Sequence, residues 1–404
     1  MVYCRRMRTL RLGLIGILSI GVAGYIYAHP PKLTAGGIDF SAFYCGARVL
    51  STGADPYQYE PVRSCEHENR QWSRRSDIVA APLPPYALGI LIPLARLPYA
   101  QAGLLWFMLL VVSTLVIVWA IRQLADLPFL VVGTCVALAV FLQAMPTGAL
   151  APIPLSLLCT AAVMLTRKLW NVTAALLGFA CIEPHVALPV LIAAFVLVRE
   201  MRWRIVVVAF ALILFSLALG RIELNVEYLS RYLPAHALSE LGSVVQFGLS
   251  SMLHNFGVPD RAALAIGSAQ YALFVIAGIL LARSLRREVP AMTVLVPMAM
   301  AVTGGPYIHL TQIAGVLPLA FVTASRTRSR VAWAGIVLLT VPWNLLNALT
   351  PNTLVVPRVH EVVLRALMYQ ATPGGFAYIA NALVYLGIAC TFWSLLVGRN
   401  WRLT

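Results

Sequence analysis

The sequence predicts an all-α polytopic membrane protein of about twelve transmembrane helices, and three observations carry that expectation. Of 404 residues, 60% are hydrophobic and only 11% charged, against about 25% charged in ordinary soluble domains. Apolar runs of roughly transmembrane length recur along the whole chain, parted by arginine clusters or by Pro and Gly. The 30 Lys and Arg against 15 Asp and Glu give a formal charge of +15. On a soluble chain that excess would point to nucleic acid; here the composition excludes a water-soluble fold, and the meaning of the charge depends on where it sits.

A helix needs about 20 mostly apolar residues to cross the hydrocarbon. Leu12 to Ala28, preceded by Arg5, Arg6, Arg8 and Arg11, reads as a secretory signal or an uncleaved anchor. The Ile26-Tyr27-Ala28 end is a poor small-x-small cleavage site, which favours the anchor, and either reading places the segment after Ala28 outside the cytoplasm. The stretch 81–98 is apolar but carries five prolines, and counting it as a span would invert every later loop, so it reads as a helix lying along the outer surface. Further spans are expected at 100–121, 128–145, 149–166, 170–182, 185–198, 205–219, 262–282, 289–303, 311–325, 332–349 and 375–397. Two of these, 170–182 and 185–198, are short and meet at Glu183-Pro184-His185, a helical hairpin turning near the outer face. The whole chain, 1–404, is then one integral membrane domain in the plasma (inner) membrane with both termini cytoplasmic.

The charges agree with this layout. Eighteen bases fall in cytoplasmic segments with only Asp126, Glu200 and Glu288 as acids, while the outer segments hold the other twelve bases and twelve acids. The +15 is therefore an orientation signal, and no nucleic-acid partner is expected. Three outer segments are long: the first external loop 29–99 with its surface helices, 220–261, and 350–374. In the first, Gly36-Gly37, Gly53 and Pro56 make turns, and Phe40 to Leu50 reads as a short helix with Asp39 in its N-cap position, a common structural use of Asp. Cys45 and Cys65 share this loop, in a compartment that permits a disulfide. Soluble-enzyme motifs are absent from the sequence, there is no metal-ligand cluster, and no resident cofactor is expected. The unusual polar residues Asp39, Glu183, His185 and His309 gather at the outer ends of the helices, half in lipid and half in water.

Three ordered stretches carry a resemblance. GGIDFSAFYCGARVLSTGADPY (36–57), APLPPYALGILIPLARLPYAQAGLLWF (81–107) and GPYIHLTQIAGVLPLAF (305–321) are similar to the first external loop, the Pro-Pro-Leu helix and the late Pro-Tyr-x-His element of glycosyltransferase family 87. The resemblance implies a type-C glycosyltransferase-like fold. It also implies an inverting enzyme that moves a sugar, mannose or another hexose, from a polyprenyl-phosphate donor to a glycolipid or glycan acceptor on the outer face of the membrane. The partners implied are membrane lipids, the lipid-linked sugar and that acceptor. Inverting transfer needs a base for the attacking hydroxyl, and Asp39 matches the family's catalytic Asp. Substrate-binding roles fall to Arg48, on a helical face similar to that of Asp39, to Tyr44, to Glu183 and His185, and to His309. Arg48 reads equally as a solvated or snorkelling arginine, and Tyr44, Tyr57 and Tyr86 as headgroup anchors. The sequence departs from the family at two places. Glu183-Pro184-His185 stands where Lys-Pro is common, and Leu310-Thr311-Gln312 where Asp-Tyr-Asp often follows the histidine. A transporter or flippase is the rival reading, since twelve spans with both ends inside is also a transporter plan; a non-catalytic partner of another membrane enzyme is a third.

Overall fold

Proline sets where the apolar runs of this chain become helices. Pro85, Pro152 and Pro184 each stand in the first turn of a helix, where the missing N–H would have had no intrahelical acceptor. The computed structural model describes residues 37–69, 81–145, 147–242, 246–306, 308–341 and 376–398. The expected N-terminal span 12–28, the whole outer segment 350–374 and the neighbouring residues 342–349 and 375 of the flanking spans lie outside the described residues. In chain order the main elements are α1 (Ile38–Ser51), α2 (Tyr59–Glu68), α3 (Pro85–Ala95), α4 (Tyr99–Leu124), α5 (Phe129–Ala144), α6 (Pro152–Thr166), α7 (Trp170–Ala180), α8 (Pro184–Leu197) and α9 (Arg199–Glu240). There follow β1 (Gln246–Phe247), α10 (Leu249–Asn255), α11 (Asp260–Leu285), α12 (Met292–Gly304), β2 (Ile308–His309), α13 (Leu317–Thr327), α14 (Arg330–Thr340) and α15 (Phe376–Val397).

The protein is all-α apart from the two-residue strands, but the expectation of about twelve transmembrane helices is not met. Among the described residues three helices are long and apolar enough to cross a membrane: α4, α9 and α11. The other apolar helices in that set, with α15 counted over Ala382–Val397, run 10–17 residues, about 15–25 Å at 1.5 Å per residue, short of a ~30 Å hydrocarbon core. The type-C glycosyltransferase-like fold is corrected on the same ground. Apolar runs lose length to turns: the run 149–166 forms helix only from Pro152, and 289–303 only from Met292.

The buried residues fall into two clusters. The larger is built by α4 to α9 with α11 to α15; the smaller joins α1, α2 and α3 to the first half of α4 through Phe40, Leu88, Trp106 and Leu110. The stretch read as a surface helix at 81–98 is indeed helical, as α3, but it is held inside the fold against α1 and α9. The Cys45–Cys65 disulfide forms and ties α1 to α2. Helix α9 bends sharply at Arg221, whose backbone is non-helical (φ 50°). Asn225 takes up the freed groups there, donating to the Arg221 and Ser216 carbonyls and accepting from the Ser216 hydroxyl.

Polar contacts sort the bundle into two ends. Arg167 donates to Gln123, Arg204 to Asn171, Arg202 to Phe195 O and Arg286 to Leu197 O. These contacts gather the last turns of α4, α6, α8 and α11 with the first turns of α7 and α9 at an arginine-rich end. At the other end Tyr99, opening α4, packs its ring 5.6 Å from Phe40, Glu240 closes α9, and Asp260, opening α11, accepts from His254 at 2.8 Å.

Candidate functional site

Asp39 reaches its place because Gly37 lets the chain pass against a remote turn. Gly37 has φ +84°, and a Cβ there would lie 2.1 Å from the Thr147 carbonyl carbon. That approach allows the Asp39 and Phe40 N–H groups to donate to Thr147 O at 2.8 and 3.4 Å, satisfying orphan donors of the first turn of α1. The next carbonyl, Gly148 O, accepts from the Trp106 indole at 2.9 Å. The N-cap reading of Asp39 is thereby corrected: Gly37 holds the cap position, and the Asp39 carboxyl makes no cap bond. Burial is the main influence on that carboxyl and raises it to about 6; a hydrogen bond with the Thr147 side chain pulls the other way, and the charge of Glu240 adds to the rise.

Glu183 and His185 meet Gln312 across the bundle. The Gln312 Nε2 amide donates to Glu183 Oε1 and to His185 Nε2, the latter at 2.8 Å, while its Oε1 accepts from the His309 backbone N–H at 2.8 Å. An amide N–H can donate only to an unprotonated ring nitrogen, so His185 is neutral here. Burial, with the same amide opposing it, pushes His185 down to about 4 and Glu183 up to about 7. The 3.7 Å approach of the two side chains is therefore not a strong ion pair, and Glu183, 7% exposed, is a carboxyl able to carry its proton near neutrality.

The strand pair β1–β2 sets Gln246 opposite His309 in antiparallel register. Gln246 Nε2 donates to Glu240 Oε2 at 2.9 Å and faces His309 Nε2 at 3.2 Å, which again makes that ring nitrogen an acceptor. Burial keeps the His309 imidazole below its ordinary range, against the pull of Glu240, so the 3.8 Å contact between His309 and Glu240 is neutral-to-charged. Gln246 is 1% exposed and its Oε1 has no partner among the described residues. Beside this group Tyr232 and His236 stack nearly parallel, at 6.2 Å, and Tyr232 packs at a tilt against Tyr57 at 4.6 Å.

Of the residues singled out from sequence, Glu183, His185 and His309 thus share one hydrogen-bonded group through Gln312, and Asp39 lies within electrostatic reach of Glu240 in the same region. Arg48 does not join them: nine residues along α1, about 13 Å by helical rise, it stands 3.9 Å from Glu68. Tyr44 donates to Leu97 O and packs edge-on to Tyr99, Tyr57 donates to Leu83 O, and Tyr86 donates to Cys181 O; all three fasten helices. Glu240, Thr147 and Gln312 were not legible as site residues, because only the tertiary fold brings Glu240 and Thr147 to this region and carries Gln312, a local capping partner of His309, to Glu183 and His185.

The site presents acceptors, the carboxyls of Asp39, Glu183 and Glu240 and the Gln246 Oε1, beside two neutral imidazoles whose Nε2 lone pairs are taken by the Gln312 and Gln246 amides. The described residues hold no group of three or more His, Cys, Asp or Glu that could bind a metal ion. Inverting glycosyl transfer from a polyprenyl phosphate, the activity implied by the resemblance, is overturned: it was expected of a twelve-span frame, and three helices of spanning length stand in its place among the described residues. The transporter or flippase alternative rested on the same twelve spans and falls with them. Comparison of the chain with protein-family models, with curated proteins and with solved structures finds no match.

Proposed function

We propose that the chain is an integral membrane protein whose helices α4, α9 and α11 cross the bilayer, with the arginine-rich end toward the cytoplasm and Asp39 on the opposite side. There it acts as an enzyme in which Asp39 takes a proton from a hydroxyl or amine group on the head of an amphiphile. The positive-inside rule supports the orientation. The three spans fit it in alternation, α4 running from the Asp39 end to the arginine end, α9 back and α11 again away.

The observation that carries the reading is the convergence of Asp39, Glu183, His185, Glu240, Gln246, His309 and Gln312 from widely separated segments on one end of the bundle. A partly buried carboxyl beside a second carboxyl and neutral imidazoles is suited to general acid–base work near neutral pH. Acceptors outnumber donors there, which favours a ligand rich in O–H or N–H groups. The lateral surface of α4 exposes Leu104, Leu105, Met108 and Val112, so the region is reached from lipid as well as from water.

The test is mass-spectrometric profiling of membrane and envelope extracts from cells lacking the protein, complemented with wild type or with Asp39→Asn at equal membrane levels. Wild type should convert one amphiphilic species that accumulates in its absence, and Asp39→Asn should leave it accumulated. Full conversion by Asp39→Asn would refute the role given to this carboxyl.

A further inference from the structure

At the end of the bundle remote from Asp39, two arginines converge on the last turn of α8. Arg202 Nε donates to Phe195 O at 3.3 Å and Arg286 Nη1 donates to Leu197 O, so the start of α9 and the end of α11 are both fastened to carbonyls at the negative end of that helix. Only part of the Arg286 fork is used. Its Nε is buried and has no hydrogen-bond partner among the described residues, and a buried N–H on a charged group is costly to leave unpaired.

The neighbourhood is strongly basic. Segments 199–204 and 283–288 together hold Arg199, Arg202, Arg204, Arg283, Arg286 and Arg287, with Glu200 and Glu288 as the acids. None of the six arginines forms an ion pair with a carboxylate among the described residues. Arg204 is committed to Asn171 at 2.5 Å and lies 4.6 Å over the Trp203 ring. Trp203 is 60% exposed, and Phe195, Val196, Val206 and Val207 beside it are exposed as well. Excess guanidinium charge, a buried donor in want of an acceptor and an exposed indole thus meet where apolar surface begins.

We propose that this arginine-rich junction binds the phosphodiester headgroup of an anionic diacyl phospholipid. A phosphate oxygen accepts the Arg286 Nε–H, Arg202 and the flanking arginines balance the charge, and the acyl chains run along the apolar surface beside Trp203. The site is distinct from the Asp39 chemistry and shares with it only the placement of this end at a membrane–water boundary. Its lipid anchors the junction of α8, α9 and α11.

Thermal unfolding of the full-length protein in detergent tests this, with added phosphatidylglycerol, phosphatidylcholine of the same chains, or inorganic phosphate. Phosphatidylglycerol should raise the melting temperature of wild type, and neither of the other two should. The concentration needed should rise about tenfold in Arg286→Lys, which keeps the charge but loses the Nε donor. An equal shift with phosphatidylcholine, an equal shift with inorganic phosphate, or an unchanged phosphatidylglycerol response in Arg286→Lys would each overturn the proposal. Should that variant fail to fold, native mass spectrometry of wild type decides the matter: selective retention of phosphatidylglycerol supports the site, and equal retention of both lipids refutes it.

Discussion

Asp39→Asn should be inactive and yet more stable than wild type at neutral pH. As the base, Asp39 contributes about 10²–10⁴-fold to the rate, the usual range for a positioned proton acceptor, and an amide cannot replace it. The stability effect arises from the raised carboxyl, about 6 in the folded chain against 3.8 for the ordinary side chain. A group whose folded value is raised favours folding in its protonated form. Its contribution is fully present below about pH 4 and is lost as pH rises through about 6. The loss amounts to about 3 kcal/mol at most. Wild type and Asp39→Asn should therefore have similar melting temperatures at pH 4 and diverge in favour of the variant by pH 7.5. Glu183, also raised, and His185, lowered, titrate in both proteins and cancel in the comparison. A carboxyl serving only to hold α1 would give the opposite result, a variant less stable at pH 7.5.

Gly37→Ala should have the largest structural effect of any single methyl added to the described chain near the site. The new Cβ would fall 2.1 Å from the Thr147 carbonyl carbon and 2.2 Å from its oxygen, both backbone atoms, on a residue with φ +84°. Relief requires α1 to retreat from Thr147, which breaks the bonds from the Asp39 and Phe40 N–H groups and disturbs the turn whose Gly148 carbonyl holds Trp106. Backbone strain costs about 1–2 kcal/mol, and the lost buried hydrogen bonds bring the total to about 3 kcal/mol or more. Gly53 supplies the control: it too has positive φ, +78°, but nothing lies within 4 Å of its Cβ position. Thermal unfolding should show Gly53→Ala losing only the strain and Gly37→Ala losing about twice as much or more, together with any activity.

Helix positions were legible in the apolar pattern, because the same runs that avoid water also carry few breakers. The spans expected at 100–121 and 262–282 appear as Tyr99–Leu124 and Asp260–Leu285. Helix length was less legible. The helices at Pro152 and Met292 start three residues into the expected runs, and the residues spent in turns leave several apolar runs too short to span a membrane. The expected 205–219 span became part of a helix reaching Glu240 with a bend at Arg221, since a helix can change direction without any loss of apolar pattern. Asp39 and His309 were picked out by residue type at helix ends. The partners that give them their chemistry were not, because Thr147 is more than a hundred residues from Asp39 and Glu240 meets His309 only through β1–β2. Gln312 is the sharpest case: it read as a departure from a family pattern, whereas its amide joins Glu183, His185 and His309.

The central claim is that Asp39 exchanges a proton with the substrate, and the pH dependence of conversion measures it directly. Purified wild-type protein in lipid should convert the species that accumulates in cells lacking it, with kcat/KM rising as Asp39 loses its proton and half-maximal near pH 6. Asp39→Asn should be slower by two orders of magnitude or more, with that rise gone. A flat wild-type profile between pH 5 and 8, or an Asp39→Asn enzyme that works at the wild-type rate, would contradict the account.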